Sequence, residues 1–369
     1  MAVATGDPRQ IDFIVRRDDL PEGKFISAPA PRASELPADC ALLKVERFAF
    51  TANNITYAML GDALQYWKLF PAPEGFGNIP VWGFGEVIAS RHEPLAEGER
   101  LFGYFPMSTH LVIVPANVSK RRLADAAPHR QGVAPVYNQY ARVTGDPAYA
   151  GKEGDYQALL RPVFMLSFLV DDFLAEAGFF GARAVLISSA SSKAAIGLAH
   201  LLHENRKPIE VIGLTSPGNR KFVEGLGCYD RVVGYEDVPS LDAGEPVVFV
   251  DLAGNPDLRR ALHAHYRDNM KYSSRAGFTH RGEEDVEVLP GAKPEPFFAP
   301  GQIKKRAQDW GRGGIETRFS AVWSGYAALL DRALKIEYGR GEAAVEAVYR
   351  AMLNGRVAPE RAHILSLWG

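Results

Sequence analysis

The first chemical signal in the sequence is the spacing Ser189-x-x-Ser192-x-x-Ala195, with Ala190, Ser191 and Lys193 filling the intervals. Small side chains let backbone N–H groups approach a pyrophosphate, hydroxyls add donors, and an ammonium at the mouth of a helix adds charge. Glycine usually fills these positions, as in G-x-G-x-x-G, and serine reaches positive φ less readily. The alternative is a small turn in a doubly wound sheet that binds nothing. A second polar group, Thr215-Ser216, ends the next apolar run, with Asn219, Arg220 and Lys221 just beyond. Folds specific for NAD place an Asp or Glu there to bind the ribose 2′-OH. Here the nearest acid, Glu210, lies at the other end of the run. Hydroxyls and basic side chains suit a 2′-phosphate, with Arg220 as its main contact. NADP(H) is therefore expected over NAD(H). On the other reading, Arg220 and Lys221 are solvated residues of a helix's first turn.

The elements that must position these groups follow from periodicity. Ala184–Ile187 is an apolar run of strand length. Lys193–Glu204 carries Ala195, Leu198, Ala199 and Leu202 on one face, and Val211–Leu214 is a second strand. Strand, small turn, helix and strand make a βαβ unit. The alternation continues through strands at Arg231–Val233 and Pro246–Val250, a helix from Pro256 to Met270 and a strand from Ser274 to His280. A parallel sheet from about 161 to 290 results. Its strand ends, where such sheets bind ligands, add Leu252, Gly254, Asn255, Thr279 and His280. For Asp251-Leu-Ala-Gly-Asn255 the plain alternative is a strand end and a turn. Upstream, Ile11–Val15, Ala41–Phe48, Gly85–Ala89 and His110–Val114 read as strands of a small barrel or sandwich. Residues 119–160 are irregular, an insertion or a mobile lid. Arg161–Ala177 is an apolar helix, and the tail from Gln302 is mostly helical.

Composition narrows the class. The chain has 369 residues, 47% of them hydrophobic, and a net charge of −2. That suits a soluble two-domain protein and argues against nucleic-acid or anionic-membrane partners. Two cysteines, Cys40 and Cys228, make neither a disulfide framework nor a thiolate metal site. Met1–Gln10 lacks an apolar leader core, so cytoplasmic location is expected. His200/His203 and His263/His265 are close in sequence, but neither pair has an evident third metal ligand.

Three stretches together resemble the medium-chain dehydrogenase/reductases. They are Phe50-Thr-Ala-Asn-Asn-Ile55, then Gly83–Ala89 with Gly98–Gly103, then Val185–Ala199 with Lys221–Gly227. The resemblance spans nearly the whole chain. It implies an α/β protein with a β-rich, GroES-like N-terminal domain and a Rossmann-type doubly wound parallel sheet. The expected division is 1–160 for the GroES-like substrate domain with its insertion, 161–300 for the Rossmann domain, and 301–369 for a helical return onto the first. A homodimer is also implied.

Zinc enzymes of that layout use an early cysteine and a Gly-His-Glu, where this chain has Asn53-Asn54 and Gly83-Phe84-Gly85-Glu86. Without a Lewis acid, hydride transfer suits a carbon activated by conjugation, in an enone, enoyl thioester or quinone. The resemblance thus points to a zinc-independent, NADPH-dependent reductase, in the manner of quinone oxidoreductases and enoyl reductases. A non-catalytic dinucleotide-binding sensor is the alternative. Tyr57 is the candidate donor to the developing enolate and Asn54 a hydrogen-bond donor to the substrate oxygen. The competing reading makes Asn53 and Asn54 turn caps and Tyr57 a half-buried aromatic. Tyr137 and Asn138 in the insertion are secondary candidates, with a plain loop as the favoured reading.

Overall fold

The computed structural model describes residues 8–276 and 288–369. They form two compact units, Met1–Leu159 with Ile336–Gly369, and Leu160–Lys335. The first unit opens with β1 (Arg9–Arg16), β2 (Gly23–Pro29), β3 (Ala41–Phe50) and helix α1 (Ala52–Met59). It continues with β4 (Phe76–Gly77), β5 (Val81–Ser90), β6 (Arg100–Phe105), β7 (His110–Ile113) and β8 (Pro115–Ala116). Strands β9 (Arg122–Asp125) and β10 (Gln139–Arg142) follow, within the stretch expected to be irregular. That stretch is pinned from inside. Arg130 and Asp125 approach to 3.0 Å with both side chains 1% exposed. Arg130 Nε and Nη1 make no hydrogen bond among the described residues, so charge rather than alignment holds this pair, while Nη2 donates to the Tyr140 hydroxyl at 3.3 Å. Asp125 Oδ1 also accepts from the N–H groups of Val114 and Ala127, each at 3.0 Å.

Helix α2 (Gly151–Glu176) starts ten residues earlier than the apolar pattern suggested, because its first turns are polar. The second unit then runs β11 (Ala184–Ile187), α3 (Lys193–Asn205), β12 (Glu210–Thr215), α4 (Arg220–Glu224), β13 (Arg231–Gly234), β14 (Val247–Asp251), α5 (Pro256–Tyr266), β15 (Met270–Arg275) and β16 (Pro294–Pro296). All pair parallel, in the order β13-β12-β11-β14-β15-β16. Successive strands step outward one way from β11 and then the other, so the end of β11 is the topological switch point. Leu186, Ile212, Phe249 and Leu262 make the core on one face of the sheet. The strand expected over Ser274–His280 is β15, four residues earlier. Thr279 and His280 lie outside the described residues.

Helices α6 (Ala299–Trp310) and α7 (Gly314–Ala333) belong to this second unit, not to a return from residue 301. Aromatic packing explains it. Tyr326 of α7 stacks on Phe164 at 4.1 Å and donates its hydroxyl to the Lys193 carbonyl at 2.8 Å. The chain rejoins the first unit as β17 (Lys335–Arg340), α8 (Gly341–Leu353) and β18 (Arg361–Ser366). The large sheet is ordered β17-β18-β3-β5-β6-β10-β9-β8, with β7 on β3. A helical reading of the tail missed β18 because it is buried from Ala362 onward on both faces and shows no alternation. Phe13, Phe48, Phe105 and Tyr349 anchor the core of this unit.

Candidate functional site

In the second unit, the turn between β11 and α3 has the shape that a phosphate cradle needs. Ser189 sits at φ +53°, in the left-handed region normally left to glycine. A serine there costs on the order of 1 kcal/mol. Its N–H is held by the Tyr235 hydroxyl at 3.1 Å, and the Ala190 carbonyl accepts from Tyr229 at 2.8 Å. Two tyrosines from outside the motif therefore fix the turn, and only the folded chain brings them to it. Ser192 caps α3 through the Ala195 N–H at 3.2 Å, and Ser191 Oγ accepts from Asn219 at 3.0 Å. The N–H groups of Ser191, Lys193 and Ala194 have no partner among the described residues. They are the open donors of a helix N-terminus.

Lys193 adds the charge. Its ammonium has neither ion pair nor hydrogen bond among the described residues, and burial pushes it down to about 8. A desolvated cation without an anion is costly, and a bound phosphate would relieve it.

The neighbouring strand ends are scaffold. Ser188 Oγ donates to Asp251 at 2.9 Å and accepts from the N–H groups of Leu252 and Ala253, tying β11 to β14. Gly254 N–H goes to Asp251 at 2.8 Å, and Asn255 caps α5 through Asp257 and Leu258. Leu252, Gly254 and Asn255 thus spend these groups on the fold. Thr215 is buried, Ser216 half-buried, and Lys221 exposed without a partner among the described residues. Arg220 does not fit the role of main 2′-phosphate contact. It is held by Glu224 at 3.0 Å and Asp237 at 3.3 Å, acids that themselves repel a phosphate.

The first unit carries a separate polar cluster. Thr51 starts α1, and Asn54 Oδ1 accepts from the Thr51 N–H at 2.7 Å while its Nδ2 donates to the Pro80 carbonyl at 2.9 Å. Asn54 is 3% exposed. It is spent on the helix start, as the capping alternative had it. The Tyr57 oxygen accepts from Asn53, the i,i+4 arrangement of a helix face. Its ring packs on Tyr66 at 5.0 Å and Tyr104 at 5.7 Å. Tyr104 of β6 faces its cross-strand partner Trp82 of β5 at 4.5 Å and Tyr137 at 5.0 Å. Tyr66 and Tyr137 share a hydroxyl hydrogen bond of 2.8 Å. The stretch read as plain loop therefore delivers an aromatic side chain to the Tyr57 cluster. Burial raises Tyr57, Tyr66, Tyr104 and Tyr137, so all four are neutral phenols at physiological pH. Tyr104 Oη and Trp82 Nε1 are buried without a hydrogen-bond partner.

His263 and His265 have structural partners. His263 bridges Ser273 and the Pro290 carbonyl, and His265 meets the Leu241 carbonyl. Among the described residues no three metal-binding side chains gather. None of the helices there is long and apolar enough to cross a membrane.

Residues 48–358 match the model of a family described as "Protein of unknown function (DUF2855)". The chain belongs to this family. No curated protein matches the sequence. Solved structures place this DUF2855 member in a known fold. CurA from Vibrio vulnificus, solved with NADPH, is similar over 97% of this chain and 99% of its own, at 10% identity and a TM-score of 0.60. CurK enoyl reductase covers the same shares at 15% identity and a TM-score of 0.56. Mycobacterial Rv1454c, complexed with NADPH, covers 96% and 99% at 14% identity and a TM-score of 0.53. The DUF2855 chain has the medium-chain dehydrogenase/reductase fold, a β-rich domain with a separate parallel-sheet domain.

Proposed function

We propose that the protein is a zinc-independent, NADPH-dependent reductase of carbon conjugated to a carbonyl, as in an enone, enoyl thioester or quinone. Lys193 carries the reading: a half-buried, partly desolvated ammonium without an anion, at the start of a helix whose first N–H groups are open. The similar structures of CurA and Rv1454c are solved with NADPH, and the turn of this chain fits a pyrophosphate. Ser191, Ser192, Lys193 and the Ala194 N–H would hold it, with Ser189 forming the turn and Asn219 steadying Ser191. Thr215 and Ser216 replace the acid that would select NADH, and Lys221 supplies charge for the 2′-phosphate.

A nicotinamide held there would supply hydride. As hydride adds to the substrate, the π electrons move onto the carbonyl oxygen, and a proton completes the reduction, at the α-carbon of an enone or enoyl thioester and at oxygen in a quinone. The protein's task is to stabilise that oxygen. Tyr57 suits it: its phenol stays protonated, and Asn53 fixes its oxygen from behind. The homodimer and the domain roles are part of the same proposal. Titrating NADPH by fluorescence, then following its oxidation with a panel of enones and quinones, tests it. Absence of NADPH binding sinks the reading. Tight binding without turnover on any acceptor favours a dinucleotide sensor.

A further inference from the structure

Apart from the Tyr57 cluster, the first unit carries a cavity of about 470 Å³. Three stretches far apart in sequence meet there: Arg17 just after β1, Trp67 and Lys68 in the chain after α1, and Pro128, His129 and Gln131 between β9 and β10. Among the described residues no acidic side chain lines it. Arg17 Nε donates to the Phe76 carbonyl at 2.8 Å, which leaves both Nη groups without an acceptor among the described residues. Lys68 Nζ meets only a neutral oxygen there, Gln65 Oε1 at 3.1 Å, and the Gln131 amide has no partner there. Asp18 and Glu22, close to Arg17 in sequence, are paired with Arg16 at 2.7 and 3.4 Å. Two cations therefore face the cavity, and no anion of the described chain answers them.

The walls are fixed. Trp67 is 4% exposed and lies against Gly61 and Gly77, where a Cβ on either would overlap its indole. Arg130, in its ion pair with Asp125, sits over the Phe70 ring at 4.7 Å and so holds the Pro128–Gln131 segment to the chain after α1. A cavity of this size falls in the range of small-molecule sites, about 300–1,000 Å³.

We propose that this cavity binds a small organic phosphomonoester, with Arg17, Lys68 and Gln131 on the phosphate and Trp67 and Pro128 beside the organic body. A phosphomonoester carries a charge of about −1.5 to −2 at neutral pH and three terminal oxygens. Two cations and an amide match that, whereas a carboxylate offers one charge and two oxygens. The terminal Nη pair of an arginine also engages two phosphate oxygens at once. This inference goes beyond the reductase reading and does not rest on it, since none of these residues belongs to the turn after β11 or to the Tyr57 cluster.

The test is isothermal titration calorimetry of phenyl phosphate, with inorganic phosphate and benzoate as comparisons, on the wild type, Arg17→Gln, Lys68→Gln and Lys193→Met. The wild type should bind phenyl phosphate more tightly than either comparison. Arg17→Gln and Lys68→Gln should each weaken it about tenfold, the loss of one charge-assisted contact, and Lys193→Met should leave it unchanged. Both cavity side chains are exposed, so both variants should keep the wild-type Tm. If Arg17→Gln unfolds for want of its Phe76 bond, Lys68→Gln decides alone. Equal phenyl phosphate affinity in the wild type and the cavity variants overturns the proposal, and so does benzoate binding as tightly as phenyl phosphate. Loss in Lys193→Met alone would put the phosphate at the start of α3 and overturn it too. NADPH titration of the same proteins is separate: failure of the wild type there strikes the reductase reading only, whereas a fall confined to the cavity variants would assign Arg17 and Lys68 to the cofactor and overturn this one.

Discussion

At Lys193, function and stability pull in opposite directions. Its folded pKa of about 8 lies below the 10.5 of an unburied lysine. Between those values the unfolded chain binds more protons than the folded one, so stability rises with pH across that window. Below pH 8 the full cost of the partly desolvated charge is present. Lys193→Met should therefore raise the Tm of ligand-free protein at neutral pH, while NADPH affinity falls at least tenfold, as roughly expected for a lost charge-assisted contact. For the wild type, NADPH affinity should weaken as pH rises through about 8, when the ammonium loses its proton; a flat profile from pH 6 to 9 would remove Lys193 from the phosphate site. At Arg220 the pairing with Glu224 and Asp237 reverses the sequence expectation. Arg220→Ala should leave NADPH affinity nearly unchanged, whereas Lys221→Ala should weaken NADPH several-fold and spare NADH. Cofactor titrations of both variants distinguish the two side chains. Tyr57→Phe should lower kcat about 10²–10⁴-fold, the usual range for a positioned acid, with NADPH affinity intact. Unchanged kcat would return Tyr57 to the packing of its aromatic neighbours.

The segment between β9 and β10 is positioned by one buried ion pair. Removing either partner leaves the other's charge in the core, at a cost of about 3–5 kcal/mol. Arg130→Met should therefore lower stability by that amount in denaturant unfolding, and it should weaken substrate binding by releasing Tyr137. A stability loss under 1 kcal/mol would mean that water reaches Asp125. None of this was legible from the sequence, where 119–160 is polar and broken by Gly145-Asp-Pro and Gly151-Lys-Glu-Gly. An ion pair between Asp125 and Arg130 leaves no periodic trace, and β9 and β10 have only four residues each. The βαβ unit was legible because β11 and β12 are apolar runs and α3 keeps its stripe. The turn proposed to hold the pyrophosphate was read in part. Ser189, Ser192 and Lys193 follow from spacing alone, but Tyr235 and Tyr229 reach the turn only through the sheet. Asn54 was mistaken for a substrate contact because a cap and a ligand donor look alike until Pro80 is seen opposite.

Taken whole, the first unit is built from two stretches of chain with the entire second unit between them. Strand β3 is central to it, yet one neighbour, β18, comes from the last residues: His363 pairs with Phe50 and Leu365 with Phe48. Ser366 and Trp368 add side-chain bonds of 2.8 and 2.7 Å to the carbonyls of Glu46 and Val45. Cutting the chain after Arg356 should leave that edge of β3 open and give aggregated protein on size exclusion, since an exposed central strand templates further pairing. A soluble, NADPH-binding truncation would show that β18 is dispensable. The same arrangement sets a timetable on the ribosome. The second unit can close as soon as its own residues emerge, but β3 must wait for β18. At about 5–20 residues per second, making the residues between Leu160 and Lys335 takes roughly 9–35 s. During that interval the nascent first unit carries an unpaired strand edge, and on a crowded polysome the tail of a neighbouring copy competes to fill it.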